Sequence, residues 1–237
     1  MNAIAYIDHL LRDREGVAAD LQSEEKAASN TRSCFWVFLA LTMVYGLIMG
    51  SQSLFRGNPE GWKFALASAV KLPFLFLLTL AICLPLLYVL NVLIGPRARF
   101  GTVLGLLMAS VAVTSIVLAA CALILGFFML STKSYAFIKL LNVFIFALAG
   151  GYGVWFLGKG MAELTPAPAQ AKPDGARGVG TILTWWLITY GIVGTQMAWI
   201  LRPFVGDPAS RFTFFRSLES NFYVNVVETI GKLLRVD

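Results

Sequence analysis

Histidine occurs once in this chain of 237 residues, as His9, and cysteine three times, as Cys34, Cys83 and Cys121. His9 sits in a polar, charged N-terminal segment and reads as a surface residue rather than a general base. With no second histidine there is no metal pair of the usual kind, and no Ser-His-Asp relay can be assembled around an interior imidazole. A glycine-rich phosphate loop is missing as well. The cysteines lack metal-ligand spacing and lie in or beside apolar runs. They read as small packing residues, not as a disulfide framework. No catalytic residue, no metal ligand and no cofactor is expected.

The most informative absence is of carboxylate. All 13 aspartates and glutamates lie outside five long apolar runs, Cys34–Phe55, Leu72–Gly95, Gly101–Ser131, Ala136–Leu157 and Val179–Val205. Each run meets the roughly 20 residues needed to cross a hydrocarbon core. In hydrocarbon, a helix alone satisfies its backbone without a neighbour. The expectation is an all-α, polytopic transmembrane bundle of about five spans. Spans without an acidic residue argue against proton- or sodium-driven transport, which commonly relies on one.

Apolar residues make up 58 % of the chain, and the mean hydropathy is +0.74, above the range of a soluble domain. One membrane domain over residues 34–208 follows. It is flanked by a polar, amphipathic helical region at 1–33 and an amphipathic tail at 209–237. In the N-terminal region Ile4, Ile7, Leu10 and Leu11 recur at helical spacing. In the tail Phe222, Val226, Ile230 and Leu233 share a face. Residues 159–178, rich in proline, alanine and charge, read as a flexible loop. The first 33 residues show no short apolar core with a small-residue cleavage site, so insertion is expected to begin with the first span.

The net charge of +6 comes from basic residues scattered over loops and tails, without the stripe or aromatic platform that nucleic acid would require. Basic loops beside apolar helices are instead a topological signal. With the N-terminus inside and Lys71 at the head of the second run left out of the count, nine basic residues precede the tail on the inner side and four on the outer, and five more follow in the outer tail. Early loops usually dominate, which favours N-terminus inside. Trp36, Trp62, Trp155 and Trp199 mark segment ends, as an aromatic belt would. Trp185 and Trp186 are expected to face lipid.

Small and polar residues within the spans are the candidate contacts. Gly46 and Gly50, four apart, suit close helix approach, and Gly150, Gly151 and Gly153 do the same in the fourth span. Pro59 suits a helix start, and residues 59–71 read as a short interfacial helix. Pro85 removes a backbone donor in mid-membrane and is expected to kink its helix. Asn91, Asn142 and Gln196 read as interhelical hydrogen-bonding residues. Lys71 and Arg202 are the candidates for contact with a lipid headgroup or an anion. For Arg202 the reading as an interfacial anchor, capping carbonyls or pairing with Asp207 or Glu219, comes first.

Three stretches carry a resemblance: Lys71-Leu72-Pro73 through Leu84-Pro85-Leu86-Leu87-Tyr88 to Asn91; Lys139-Leu140-Leu141-Asn142-Val143; and Gln196-Met197-Ala198-Trp199-Ile200-Leu201-Arg202-Pro203-Phe204. Together they resemble a functionally unassigned family of bacterial polytopic membrane proteins, over roughly residues 35–230. That resemblance implies a bacterial cytoplasmic membrane and carries no activity. The five-span layout is also similar, in architecture alone, to the Yip1 group of membrane-trafficking proteins.

Three classes of function stay open at this point. The first is a non-catalytic assembly, scaffold or accessory subunit that contacts membrane lipids and other subunits or copies of itself. The second is a channel or passive transporter for a small, anionic solute. The third is lipid handling or membrane shaping.

Overall fold

Long carboxylate-free apolar runs have one way to satisfy their backbone in lipid, and the computed structural model is helical throughout its long segments. It describes residues 7, 8, 10, 12, 16, 20, 24–94, 100–132, 134–164, 173–202, 204, 205, 214 and 222–234. The side chains of 24–26, 90–94, 173–183, 222, 223, 225 and 232–234 are outside that description. In chain order the helices are α1 (Glu24–Gly50), α2 (Gln52–Phe55), α3 (Gly61–Ile94), α4 (Phe100–Ser131), α5 (Tyr135–Leu164), α6 (Pro173–Ile200) and α7 (Phe222–Leu234). No strand occurs among the described residues.

Four helical stretches are long and apolar enough to cross a membrane: Ala27–Phe55, Gly61–Val89, Phe100–Ser131 and Tyr135–Glu163. The chain is an all-α bundle of integral-membrane type. Hydropathy among the described residues supports four spans where the sequence suggested about five. The remaining long helix, α6, runs unbroken over 28 residues, and the side chains of its first eleven lie outside the description.

Several element boundaries differ from the sequence reading. α5 runs on to Leu164 and α6 begins at Pro173, so helix takes up both ends of the stretch 159–178 read as a loop. α1 begins at least ten residues before Cys34, because Lys26 to Ser33 contains no proline or glycine to stop it. The expected interfacial helix at 59–71 is continuous with the second span as α3, which runs on through Pro73 and Pro85. A proline is tolerated inside a membrane helix where neighbours and local adjustment satisfy the freed backbone.

The turn that joins α2 to α3 is built from its own residues. Gly57, at φ +79°, takes the left-handed conformation that ends α2. Its N–H donates to the Leu54 carbonyl at 3.0 Å, and the Asn58 N–H donates to the Ser53 carbonyl at 3.1 Å. This pair of bonds is the Schellman pattern. The Asn58 side-chain oxygen then accepts from the Glu60 N–H at 2.9 Å, and Lys63 pairs with Glu60 at 2.7 Å, which starts α3.

The chain forms two compact units, to each of which the four apolar spans all contribute. One contains Met1–Phe38, Thr79–Thr114 and Gly151–Val193. There Gly153 lets α5 sit against α4: a Cβ at that position would be 3.1 Å from the Ser110 carbonyl oxygen. Ser110 uses the approach to donate its hydroxyl to the Gly153 carbonyl at 2.7 Å. Trp186 of α6, 2 % exposed, donates its indole N–H to the Cys83 carbonyl of α3 at 2.9 Å. Of the two adjacent tryptophans expected to face lipid, only Trp185 is exposed. A buried indole needs an acceptor, and a carbonyl two residues before Pro85 supplies it.

The other unit contains Leu39–Leu78, Ser115–Gly150 and Gly194–Asp237. In it α1 lies close against α3. A Cβ on Gly46 would lie 2.6 Å from the Ser68 carbonyl oxygen, and one on Gly50 would lie 2.6 Å from that of Phe64. α5 joins through Tyr45 of α1, whose hydroxyl donates to the Asn142 side-chain oxygen at 3.0 Å. Phe146 of α5 meets both the Tyr45 ring, edge-on, and the Phe76 ring of α3, stacked. A Cβ on Gly150 would meet nothing within 4 Å, and the same holds for Gly151, which belongs to the first unit.

Gly50→Leu should force α1 off α3 and cost about 1–3 kcal/mol, as overpacking of a tight contact does. A thermal unfolding scan in detergent is expected to show a lowered Tm. Gly151→Leu, placed in open space, should leave Tm unchanged.

Candidate functional site: buried cations and the C-terminal segment

Lys71 stands ten residues into α3, and its side chain is 2 % exposed. An ammonium this deep is costly without partners. Its Nζ donates to the Phe214 carbonyl and lies 4.4 Å from the centre of the Phe214 ring. A desolvated cation over an aromatic face gains about 2 kcal/mol or more. The lysine expected to snorkel toward headgroups is instead covered by the chain's own C-terminal segment.

The same segment is held at three other places. Ser68, one turn before Lys71 and on the same face of α3, donates its hydroxyl to the Phe204 carbonyl. On α5 the pair Tyr135 and Lys139, again one turn apart, does likewise. The Tyr135 hydroxyl donates to the Val205 carbonyl at 3.3 Å, and the Lys139 ammonium donates to the Thr229 hydroxyl at 3.2 Å. Donors from two helices thus meet acceptors on Phe204, Val205, Phe214 and Thr229.

Arg202 closes the stretch after α6, with its guanidinium carbon 3.6 Å from the centre of the Trp199 ring. That is a stacking distance for a planar cation on indole. Lys71 and Arg202 lie in the same unit, each against an aromatic ring. Asp207 and Glu219, the acids considered as partners for Arg202, lie outside the described residues, as does Pro203.

No family model, curated protein or solved structure matches this chain.

The remaining candidates are dispersed. Asn142 is buried, accepts from Tyr45 and donates its amide to the Ile138 carbonyl at 2.9 Å, so it joins two helices. Gln196 is half-buried on α6. Asn91 lies on the last turn of α3, and its side chain is outside the description. Pro85 is exposed on α3. Among the described residues no group of three or more His, Cys, Asp or Glu could hold a metal ion.

Sequence reasoning passed over Ser68, Tyr135 and Tyr45, and also Gln52 and Ser53. Gln52 is 1 % exposed and Ser53 fully buried; the Gln52 amide nitrogen and oxygen and the Ser53 hydroxyl have no hydrogen-bond partner. The indole N–H of buried Trp199 has none either. A buried polar atom without a partner costs about 1–3 kcal/mol. The spacing signal for the tail contacts was present in Ser68/Lys71 and Tyr135/Lys139, since residues three and four apart share a helix face. What these pairs would face could not be read from spacing.

Lys71→Met keeps the length of the side chain and removes the donor. Tryptic cleavage after Arg211 and Arg216 in the tail is expected to quicken several-fold, read by mass spectrometry of timed digests. Lys71→Arg, which retains a donor and a cation, should restore the slower rate.

Proposed function

We propose that this chain is a non-catalytic membrane protein, an assembly, scaffold or accessory subunit that works through helix contacts and lipid. The observation that carries this reading is the engagement of Lys71. The cation at membrane depth is used to bind the protein's own C-terminal segment, as is Lys139, and neither is left to line an open route for solute. Charges spent in this way stabilise a fixed arrangement. The polar N-terminal region, where Asp8 and Arg12 form an exposed ion pair at 2.7 Å, would be the partner-facing part.

In this reading the membrane is the bacterial cytoplasmic membrane, entered with the N-terminus inside. The chain crosses it five times. α5 begins at Tyr135 and α6 ends just before Leu201, yet the Tyr135 hydroxyl is bonded to Val205. A chain that leaves along a 30-residue helix must return along the next one, and α6 has 28 residues for the journey. At 1.5 Å per residue that is about 42 Å, enough for a bilayer core of about 30 Å. The tail therefore shares a side with the α4–α5 turn.

A passive channel for a small anionic solute is the second reading. What favours it is the set of buried, unpartnered polar atoms on Gln52 and Ser53, which a hydrated path would satisfy.

Native mass spectrometry of the tagged protein, extracted into nanodiscs, separates the two. The scaffold reading expects a stoichiometric protein partner or a defined homo-oligomer, and no flux when the purified chain is placed in liposomes. A monomer that passes chloride, with flux altered in Gln52→Leu, would replace it with the channel reading.

A further inference from the structure

Helix α7 exposes apolar side chains while it buries a polar one. Its one buried residue, among those whose side chains are described, is a threonine, Thr229, at 7 % exposure. Val224, Val227 and Ile230 are exposed in part, Val227 most, to 69 %. In water a helix turns such residues inward and its threonine outward. The reverse arrangement is the one expected where the outer surroundings are apolar. The tail face read from the sequence, Phe222, Val226, Ile230 and Leu233, is therefore not the docked one as a whole, since Ile230 lies open.

The level of α7 relative to the lipid follows from its tether. Thr229 accepts from Lys139, which lies one turn inside the start of the Tyr135–Glu163 span. That span has 29 residues. At 1.5 Å each it is about 43 Å long, against about 30 Å of hydrocarbon, so roughly 13 Å is shared between the two interfacial zones. Lys139 is four residues, or about 6 Å, from the end of the span. The tether sits at the boundary between headgroups and acyl chains.

We propose that α7 is an interfacial helix, lying in the plane of the bilayer with Val224, Val227 and Ile230 in phospholipid and with Thr229 held to the bundle. Amphipathic helices of this kind bury their apolar side a few ångströms below the headgroups. Glu228, exposed and adjacent to Val227, marks where the lipid-facing surface gives way to water. The occupant is thus bilayer lipid, continuous with the lipid that surrounds the spans, and not a protein partner. The tail would then anchor at the surface from which the α4–α5 turn emerges.

The test is site-directed spin labelling of the full chain in nanodiscs of phosphatidylcholine and phosphatidylglycerol. Labels are placed one at a time through Val224→Cys, Val227→Cys and Glu228→Cys. The unsubstituted chain, whose Cys34 and Cys83 are buried, serves as the labelling blank. Collision with oxygen, which partitions into lipid, is compared with collision with a water-soluble nickel chelate. The expected result is an oxygen-to-nickel ratio several-fold higher at positions 224 and 227 than at 228. Equal ratios at all three sites, with ready access for nickel, would overturn the proposal and leave the valine face open to a protein partner. Protection of 224 and 227 from both reagents would overturn it too, by showing that protein covers them.

Discussion

The approach of α1 to α3 sets the geometry on which the second unit rests. Where Gly46 and Gly50 lie against the Phe64–Ser68 stretch, side chains are replaced by backbone, and the two helices can take one relative register. Ser68 and Lys71, three residues apart on α3, share a face by spacing alone, and both reach the C-terminal segment beside that contact. Tyr45 of α1 turns toward α5 and bonds Asn142. In lipid, apolar side chains gain little from leaving the solvent, so close packing and hydrogen bonds must supply the association. Two glycines therefore allow the approach beside which these polar groups find their partners.

Polar atoms inside the spans follow a common economy. Ser110 reaches Gly153, Trp186 reaches Cys83, Ser68 reaches Phe204 and Tyr135 reaches Val205, in each case a backbone carbonyl. The Gly153 and Cys83 carbonyls lie within helices and retain a second lone pair, so they can accept without breaking the ladder, whereas those of Phe204 and Val205 lie outside the helices. This lets a helix bundle join its members with hydroxyls and indoles and no intramembrane carboxylate. Gln52, Ser53 and the Trp199 indole depart from the pattern, and these unmatched atoms gather near the α1–α2 break and the end of α6.

Helix identity was legible in the sequence because apolar length and the absence of acids are composition signals that need no knowledge of neighbours. The all-α class and the membrane character followed from them. The α3 start was not legible as a continuous element, since Pro73 reads locally as a boundary and only packing decides that the helix continues. Trp186 could not be separated from Trp185 by type or position; what divides them is a carbonyl 103 residues away. Gly153 and Gly151 differ in the same way, one facing Thr114 and Ser110 and the other facing open space. For Lys71 the residue was singled out correctly as unusual, but its ligand was sought in solvent or lipid, because a segment more than a hundred residues downstream leaves no periodic trace.

That separation bears on how the protein is made. Lys71 precedes Phe214 by 143 residues and Ser68 precedes Phe204 by 136, while Tyr135 and Lys139 wait 70 and 90 residues for Val205 and Thr229. Synthesis at about 5–20 residues per second places α3 in the membrane many seconds before the ribosome delivers the groups that will cover its ammonium. During that interval the nascent chain carries an exposed positive charge at depth, which the insertion machinery or a local water defect has to shelter. The contacts that close over Lys71 consequently wait for the C-terminal segment. A chain cut short before Phe214 would leave the same lysine bare.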